Sequence, residues 1–186
     1  MRLNKILKNA LLVISAGIIL TACATKKEVA VEAPKKEETK KEETKKEEEV
    51  TKIEKIAGQM QGDVYIGTDS VKYLADGVAD RVFFATNESI LTTASRETLR
   101  AQAAWLRANS NITVVLEGHA DERGTREYNL ALGERRANAA KDYLMTYGVS
   151  SDRITVISYG KERPVDSGSN PLAWSKNRRS VTVKAN

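Results

Sequence analysis

The sequence is poor in several residue types that build common sites and scaffolds. Its 186 residues include one Cys, one His, three Pro and only 5% aromatic residues. A single Cys excludes an intramolecular disulfide bond, and a single His argues against a histidine-rich metal centre. The N-terminal apolar run, residues 10–20, is shorter than the roughly 20 residues that a membrane-spanning helix needs. We therefore expect neither a disulfide scaffold nor a spanning helix.

The N-terminus has the pattern of a bacterial lipoprotein signal. Three basic residues precede the apolar run, which ends in Leu20-Thr-Ala-Cys23. This pattern predicts a signal peptide over residues 1–22 and acylation of the Cys23 thiol, which would anchor the mature chain in a membrane. By analogy with other lipoproteins, Ala24 favours delivery to the outer membrane, facing the periplasm. The alternative is an ordinary secretory signal that happens to end in Cys.

Residues 23–55 have low complexity. A Lys-Lys-Glu-Glu motif repeats every five residues from Lys35, and residues 26–55 hold ten Lys, ten Glu and no aromatic residue. Such a segment cannot bury enough apolar surface to form a core. We interpret it as a disordered tether with an end-to-end distance of roughly 30 Å as a flexible coil. The alternative is a docking site for a partner protein.

Residues 56–78 are harder to interpret because glycines interrupt every periodicity. We expect an N-terminal extension packed on the following domain, with a short helix over residues 69–75. From residue 79 to residue 186, apolar patterns typical of strands alternate with patterns typical of helices. The expected strands are 81–84, 112–117, 154–159 and 180–184, and the expected helices are 93–109 and 128–147. A polar connection with Pro164, Gly168 and Pro171 is expected between the last two strands. This alternation predicts an α/β two-layer sandwich with the helices on one face of the sheet.

The second helix carries two stripes of residues at helical spacing. One should be buried, with small residues where the helix approaches a sheet: Leu130, Gly133, Ala137, Ala140, Leu144 and Tyr147. The other contains Asn129, Leu132 and Arg136. Helical side chains lean towards the N-terminus, so Arg136 should point back at the loop carrying Asp121, which follows the expected turn at Gly118. A carboxylate and a guanidinium flanking one groove suit a zwitterionic ligand; the alternative is a structural salt bridge.

Charge and motif content argue against several function classes. From residue 56 onwards, the chain has 17 basic and 15 acidic residues. Its net charge is therefore too small for a typical nucleic-acid binder. His119 beside Asp121 and Glu122 is weak evidence for a metal site. Two of the three residues Glu117, Asp121 and Glu122 could act as the paired carboxylates of a glycan-cleaving enzyme. Carboxylates that form salt bridges and contact a ligand are the simpler interpretation. We expect no enzyme activity, no metal and no cofactor.

Several ordered motifs make the domain resemble the OmpA-like peptidoglycan-binding family. They are Gly118-His-Ala-Asp-Glu-Arg-Gly-Thr125, Tyr128-Asn129, Leu132-Gly-Glu-Arg-Arg-Ala-Asn138, Ser158-Tyr-Gly-Lys-Glu-Arg-Pro164 and Ser175-Lys-Asn-Arg-Arg179. The resemblance implies a βαβαββ domain with a mixed sheet. It further implies that Asp121 accepts from the ammonium of diaminopimelate in the peptidoglycan stem peptide, and that Arg136 clamps its carboxylate.

The resemblance also implies the remaining site residues and the partners. Asn129 and Leu132 would line the groove. We expect Arg178 and Arg179 to brace the domain; the alternative is that they contact the ligand. Thr86-Asn87 stands where relatives commonly carry Phe-Asp, so this edge departs from the pattern. The implied partners are TolB and the other Tol proteins, in a system acting in envelope integrity and cell division. The alternative is a related lipoprotein that serves another envelope machine, such as a motor or a secretion complex.

Overall fold

The computed structural model describes residues 58–185. The expected signal peptide, the Cys23 acylation site and the tether lie outside the described residues, as do the first two residues of the expected extension. Among the residues described, no helix combines the length and the apolar character that crossing a bilayer would require.

The extension forms two β-hairpins. Strand β1 (Met60–Gln61) pairs with β2 (Val64–Tyr65), and β3 (Tyr73–Ala75) pairs with β4 (Val78–Ala79). The helix expected over residues 69–75 is therefore wrong. Gly77 explains the difference, because its φ of +71° lets the chain reverse tightly from β3 into β4.

One mixed four-stranded sheet forms the centre of the domain. The other β-strands and α-helices of the domain, in chain order, are β5 (Arg81–Phe83), α1 (Thr93–Ala108), β6 (Thr113–His119), α2 (Arg126–Thr146), β7 (Ile154–Gly160), α3 (Pro171–Asn177) and β8 (Arg179–Ala185). The strand order is β5-β8-β6-β7, in which β6 and β7 are parallel and the other pairs are antiparallel. The predicted mixed βαβαββ sheet is confirmed.

Helix α3 is the element that the sequence interpretation missed. In place of the expected polar connection, Pro171 occupies the first turn of a helix, and Asn170 caps it by accepting from the backbone N of Ala173. Pro at this position loses no hydrogen bond, because the first N–H groups of a helix lack intrahelical partners. The helix spans only seven residues, too few for a clear periodic pattern.

Helices α1 and α2 cover one face of the sheet and form the core with it. The buried apolar residues of this core come from both helices, from β5, β6 and β7, and from the segments that follow β5 and α2: Val82, Phe84, Leu99, Ala103, Leu106, Val114, Leu116, Ala137, Ala140, Leu144, Val149 and Ile154. The predicted buried stripe of α2 is confirmed at Gly133, Ala137, Ala140 and Leu144. It is wrong at its two ends, where Leu130 is 48% exposed and Tyr147 is 36% exposed.

Two glycines bring α2 against β6. A Cβ atom on Gly118 would lie 1.8 Å from the carbonyl oxygen of Gly133, and a Cβ on Gly133 would lie 2.9 Å from the carbonyl oxygen of Gly118. Gly118 thus lies inside β6, and its predicted role as a turn is wrong. Its missing side chain instead permits a backbone contact that fixes the start of α2 beside the end of β6.

Candidate functional site

Three segments meet where β6 ends. The loop of residues 120–125 leaves β6 and enters α2, whose first turn is capped by Thr125 as its hydroxyl accepts from the backbone N of Tyr128. The turn from Ala85 to Glu88 follows β5, and α3 packs nearby through Trp174. The sequence motifs of this loop and helix therefore come together in space.

Asp121 lies at the centre of this cluster and is only 7% exposed. Its Oδ1 accepts from the backbone N of Arg123 at 3.1 Å and from its Nε at 3.0 Å. Its Oδ2 accepts from Arg123 Nη2 at 2.7 Å and from Arg178 Nη1 at 3.3 Å. Burial alone would raise the pKa of Asp121, but the hydrogen bonds and charges of Arg123 and Arg178 outweigh it and lower the pKa. The carboxylate is therefore ionised at neutral pH.

Arg136 is completely buried and donates to three backbone carbonyl oxygens, two in the turn from Ala85 to Glu88 and one at the end of β6. Its Nε donates to Glu88 O at 2.8 Å, its Nη2 to Ala85 O at 3.0 Å and its Nη1 to His119 O at 2.8 Å. Burial lowers its pKa to about 10, with repulsion from Arg178 as a second cause, so the side chain remains a cation at neutral pH. No salt bridge to Asp121 forms in the described structure, so the direct pair considered from the sequence is wrong.

Arg178 and Arg179 brace the domain, as the sequence analysis expected. Arg178 is 2% exposed and donates through Nε to Phe84 O at 3.1 Å, through Nη1 to Asp121 and through Nη2 to Asp63 O. Arg179 is buried and donates to the carbonyl oxygens of Asn177 and Arg163. Arg178 therefore connects the first hairpin, the end of β5 and the loop after β6.

A cavity of about 330 Å³ opens beside this network. It is lined by Thr86, Asn87, Arg123, Gly124 and Tyr128. Asn87 has a φ of 59°, the only described non-glycine residue with a positive φ. Asn tolerates this conformation better than most residues, and it lies in the turn that Arg136 holds at both ends. The predicted Thr86-Asn87 edge is thus part of the cavity wall.

The other two predicted contact residues, Asn129 and Leu132, are buried and do not line the cavity. Asn129 is 2% exposed, and its side-chain amide donates to Arg123 O at 2.7 Å, which fixes the loop of residues 120–125. Leu132 is 3% exposed.

Sequence reasoning missed the residues that form the exposed part of the site. Tyr128 is 44% exposed in the cavity wall, and the guanidinium of Arg123 lies 4.4 Å from the centre of the Trp174 ring. Glu122 accepts from Trp174 Nε1 at 2.8 Å and from Ser169 Oγ at 2.5 Å, so it links the loop to α3. Without α3 in the prediction, no signal placed Trp174 beside the loop.

His119 is buried on the sheet face opposite α1 and α2. No group of three or more metal-ligating side chains is found among residues 58–185. Within the same part of the chain, neither ring nitrogen has a hydrogen-bond partner, and Nε2 lies 3.6 Å from Glu117 Oε2. Burial first, and then the nearby cations Arg179, Arg81 and Arg163, lower the pKa of His119 from 6.5 to about 3. The imidazole is therefore neutral at physiological pH.

We expect His119 to make the fold sensitive to acid. In the unfolded chain His119 binds a proton below pH 6.5, whereas the folded state resists protonation down to about pH 3. Stability is therefore lost as pH falls from 6.5 towards 3. Between pH 6.5 and 4.5, wild type should lose about 2–3 kcal/mol more than His119→Gln in urea unfolding. The contributions of the carboxylates are common to both proteins and cancel in the difference. Identical pH profiles would therefore contradict a role of His119 in acid sensitivity.

A second cavity, of about 430 Å³, lies away from this network. It is bordered by the two hairpins, β5 and the start of α1, and includes Val64, Tyr65, Val71, Phe83 and Thr98. It shares no lining residue with the cavity beside Asp121. None of the described residues that line this second cavity is acidic, so they offer no carboxylate to a cationic ligand.

The fold and the site together define a two-layer α/β domain in which the buried, ionised carboxylate of Asp121 lies among arginines beside a cavity. The OmpA family model matches residues 83–178, which is more than half of the chain. The chain belongs to the OmpA family.

Curated relatives narrow the similarity within that family. The chain is 54% identical over 106 residues to the peptidoglycan-associated lipoprotein of Mesorhizobium japonicum, a match that covers 57% of this chain and 63% of that protein. It is 40% identical over 131 residues to the protein of the same name in Pasteurella multocida, covering 70% of this chain and 83% of that protein. The chain thus spans about three fifths of the length of the rhizobial relatives that it matches.

Solved structures share the same fold. The crystal structure of the peptidoglycan-associated lipoprotein from Burkholderia pseudomallei has a TM-score of 0.56 and 34% sequence identity, covering 57% of this chain and 90% of that one. The C-terminal domain of Helicobacter pylori MotB has a TM-score of 0.54 at 17% identity, covering 57% of this chain and 84% of that one. The MotB similarity concerns the fold alone. The resemblance stated from the sequence is confirmed by these relatives.

Proposed function

We propose that this chain is an outer-membrane lipoprotein that binds peptidoglycan non-covalently through the diaminopimelate of the stem peptide. Lipid on Cys23 would anchor the protein in the outer membrane. Residues 24–55 would span the distance to the cell wall, and the described domain would bind the peptidoglycan. The name shared by the curated relatives supports the association with peptidoglycan. The observation that carries the proposal is the ionised Asp121 carboxylate beside an open cavity.

The ligand chemistry follows from the charges at the site. Diaminopimelate in an uncrosslinked stem keeps a free ammonium and a free carboxylate on one carbon. Asp121 can accept from the ammonium by a charge-assisted hydrogen bond. The carboxylate would be attracted by the cations around it, since Arg123, Arg136 and Arg178 all lie in the same network.

Arg136 retains some donor capacity for that carboxylate. A guanidinium has five N–H donors, and the three backbone carbonyl oxygens around Arg136 occupy three of them. One N–H on each terminal nitrogen is left for a ligand. Because Arg136 is fully buried, the ligand carboxylate reaches these donors only if the turn from Ala85 to Glu88 shifts. Thr86 and Asn87, at the centre of that turn, would then contact the ligand directly.

The proposed function involves binding without bond cleavage. Asp121, one of the carboxylates that a glycosidase could use, is engaged by two arginines. Glu122 is held by Trp174 and Ser169. A reversible contact would let the protein exchange between the wall and protein partners, for which we propose TolB and the other Tol proteins during envelope constriction.

Neutralising Asp121 should abolish wall binding. In Asp121→Asn the side chain keeps its shape but cannot hold an ammonium by a charge-assisted bond. The full-length protein, purified in detergent, is mixed with purified sacculi and sedimented. We expect the wild type in the pellet and at least tenfold less of the variant, the result of losing about 1.4 kcal/mol or more of binding energy.

The matched control is Glu162→Gln, which removes the same charge from an exposed side chain that contacts only Arg126 among the described residues. It should sediment like the wild type, and circular dichroism should show native helix content in both variants. Normal sedimentation of Asp121→Asn would overturn the site assignment. Release of soluble fragments from sacculi by the wild type would instead indicate a wall-cleaving enzyme.

A further inference from the structure

Arg123 engages the Asp121 carboxylate more extensively than any other described residue. Its backbone N and Nε both donate to Oδ1, at 3.1 and 3.0 Å, and its Nη2 donates to Oδ2 at 2.7 Å. The guanidinium lies over the ring of Trp174, at 4.4 Å from the ring centre. A cation of this chain therefore already occupies the position beside Asp121 that a ligand's ammonium would need.

Counting acceptors shows that the site is full. An ionised carboxylate offers about four acceptor positions. Arg123 uses three of them, and Arg178 Nη1 uses the fourth at 3.3 Å. An incoming ammonium, with its three N–H donors, finds no vacant acceptor on Asp121. One of the two arginines must therefore give up a hydrogen bond before a cationic ligand can bind.

The side chain of Arg123 is the one that can leave. The Arg178 side chain is 2% exposed and also donates to Phe84 O and Asp63 O, so moving it would break the brace between three segments. The Arg123 side chain is 42% exposed. Apart from Asp121, its guanidinium has one hydrogen-bond partner among the described residues, Thr86 Oγ1 at 3.4 Å. Its departure would free one acceptor position on each oxygen of Asp121.

We propose, on the basis of the proposed function, that Arg123 determines specificity by acting as a displaceable internal cation. In the free protein its guanidinium occupies the ammonium position on Asp121. When the ligand binds, its ammonium takes that position and the guanidinium moves further into the cavity that Arg123 already lines together with Thr86, Asn87, Gly124 and Tyr128. There it meets the carboxylate of the same ligand.

This exchange favours a zwitterion over a simple amine. An amine replaces one cation on Asp121 by another and leaves the displaced guanidinium without an anion. A zwitterion supplies both the replacing ammonium and a carboxylate for the guanidinium, to which Arg can bind in a bidentate manner. Arg123 should therefore select stem peptides that contain diaminopimelate over those that carry Lys, whose side chain lacks the second carboxylate.

The test compares the selectivity of the wild type with that of Arg123→Gln. The full-length protein in detergent is titrated calorimetrically with a diaminopimelate stem peptide and with the same peptide carrying Lys. We expect the wild type to prefer the diaminopimelate peptide, and Arg123→Gln to reduce that preference about tenfold. The reduction should come in part from tighter binding of the Lys peptide, because Asp121 then has acceptors to spare.

The control is Arg126→Gln, which removes the same charge from a side chain that is 74% exposed and pairs with Glu162. It should keep the wild-type preference. An unchanged preference in Arg123→Gln would overturn this inference alone. Equal weakening of both peptides would also overturn it, by assigning Arg123 a structural role only. Absence of binding by the wild type would overturn the proposed function and, with it, this inference.

Discussion

Replacing Gly118 by Ala is expected to lower the free energy of unfolding by about 3 kcal/mol or more. The added Cβ would lie 1.8 Å from the carbonyl oxygen of Gly133 and 2.4 Å from its carbonyl carbon. Both atoms belong to the backbone of α2, so no side chain can rotate away to relieve the overlap. The helix must move off the sheet, which would disturb the start of α2 and the adjacent loop that carries Asp121. Urea unfolding followed by circular dichroism measures the loss.

Gly77→Ala provides the matched control for this prediction. The same methyl group at Gly77 would meet no atom within 4 Å, and its only cost is the φ of +71° at the hairpin turn. That strain is worth about 1 kcal/mol. If the two variants lost equal stability, the close contact between β6 and α2 would not be the reason that Gly118 is required.

Replacing Arg136 by Ala is expected to cost about 3 kcal/mol of stability and to remove wall binding. The buried guanidinium satisfies three carbonyl oxygens, at the two ends of the turn from Ala85 to Glu88 and at the end of β6. Alanine leaves all three without this donor and creates a cavity where the side chain was. The turn that carries Asn87 loses its anchor, and a ligand carboxylate loses a cation. Urea unfolding and sedimentation with sacculi measure the two effects.

The neighbouring substitution Arg135→Ala separates charge from structure. Arg135 is exposed on the same helix and removing it changes the net charge by the same amount. We expect its stability to stay within about 0.5 kcal/mol of the wild type, as is usual for surface substitutions. Arg136→Ala with wild-type stability would show that the three carbonyl oxygens do not depend on this guanidinium.

The regular elements could be predicted from the sequence because their signals are local. Strands β6 and β7 and both long helices follow apolar periodicities, and Thr125 gives a clear start for α2. The hairpins of residues 60–79 could not be predicted, since each strand has only two or three residues. Helix α3 is similarly short, and the Pro residues around it favoured an irregular connection.

The sequence placed Arg136 near the loop that carries Asp121, but it did not predict the hydrogen bonds that these residues form. The lean of helical side chains correctly placed Arg136 near the loop after β6, where it donates to His119 O. Which arginine pairs with Asp121 depends instead on tertiary packing. Arg178 reaches Asp121 from a point 57 residues away, and Arg123 curls back from the loop itself. The arrangement of β8 beside β6 brings Arg178 to Asp121, and this long-range pairing has no local signal in the sequence.

Locating the bound stem peptide by NMR tests most directly whether the ligand binds beside Asp121. A ¹⁵N-labelled full-length protein in detergent is titrated with the diaminopimelate stem peptide, and amide shifts are followed. We expect the largest shifts at Thr86, Asn87, Asp121, Arg123 and Tyr128, around the cavity beside Asp121. Shifts concentrated at Val64, Val71 and Thr98, around the larger cavity, or no shifts at saturating peptide, would contradict it.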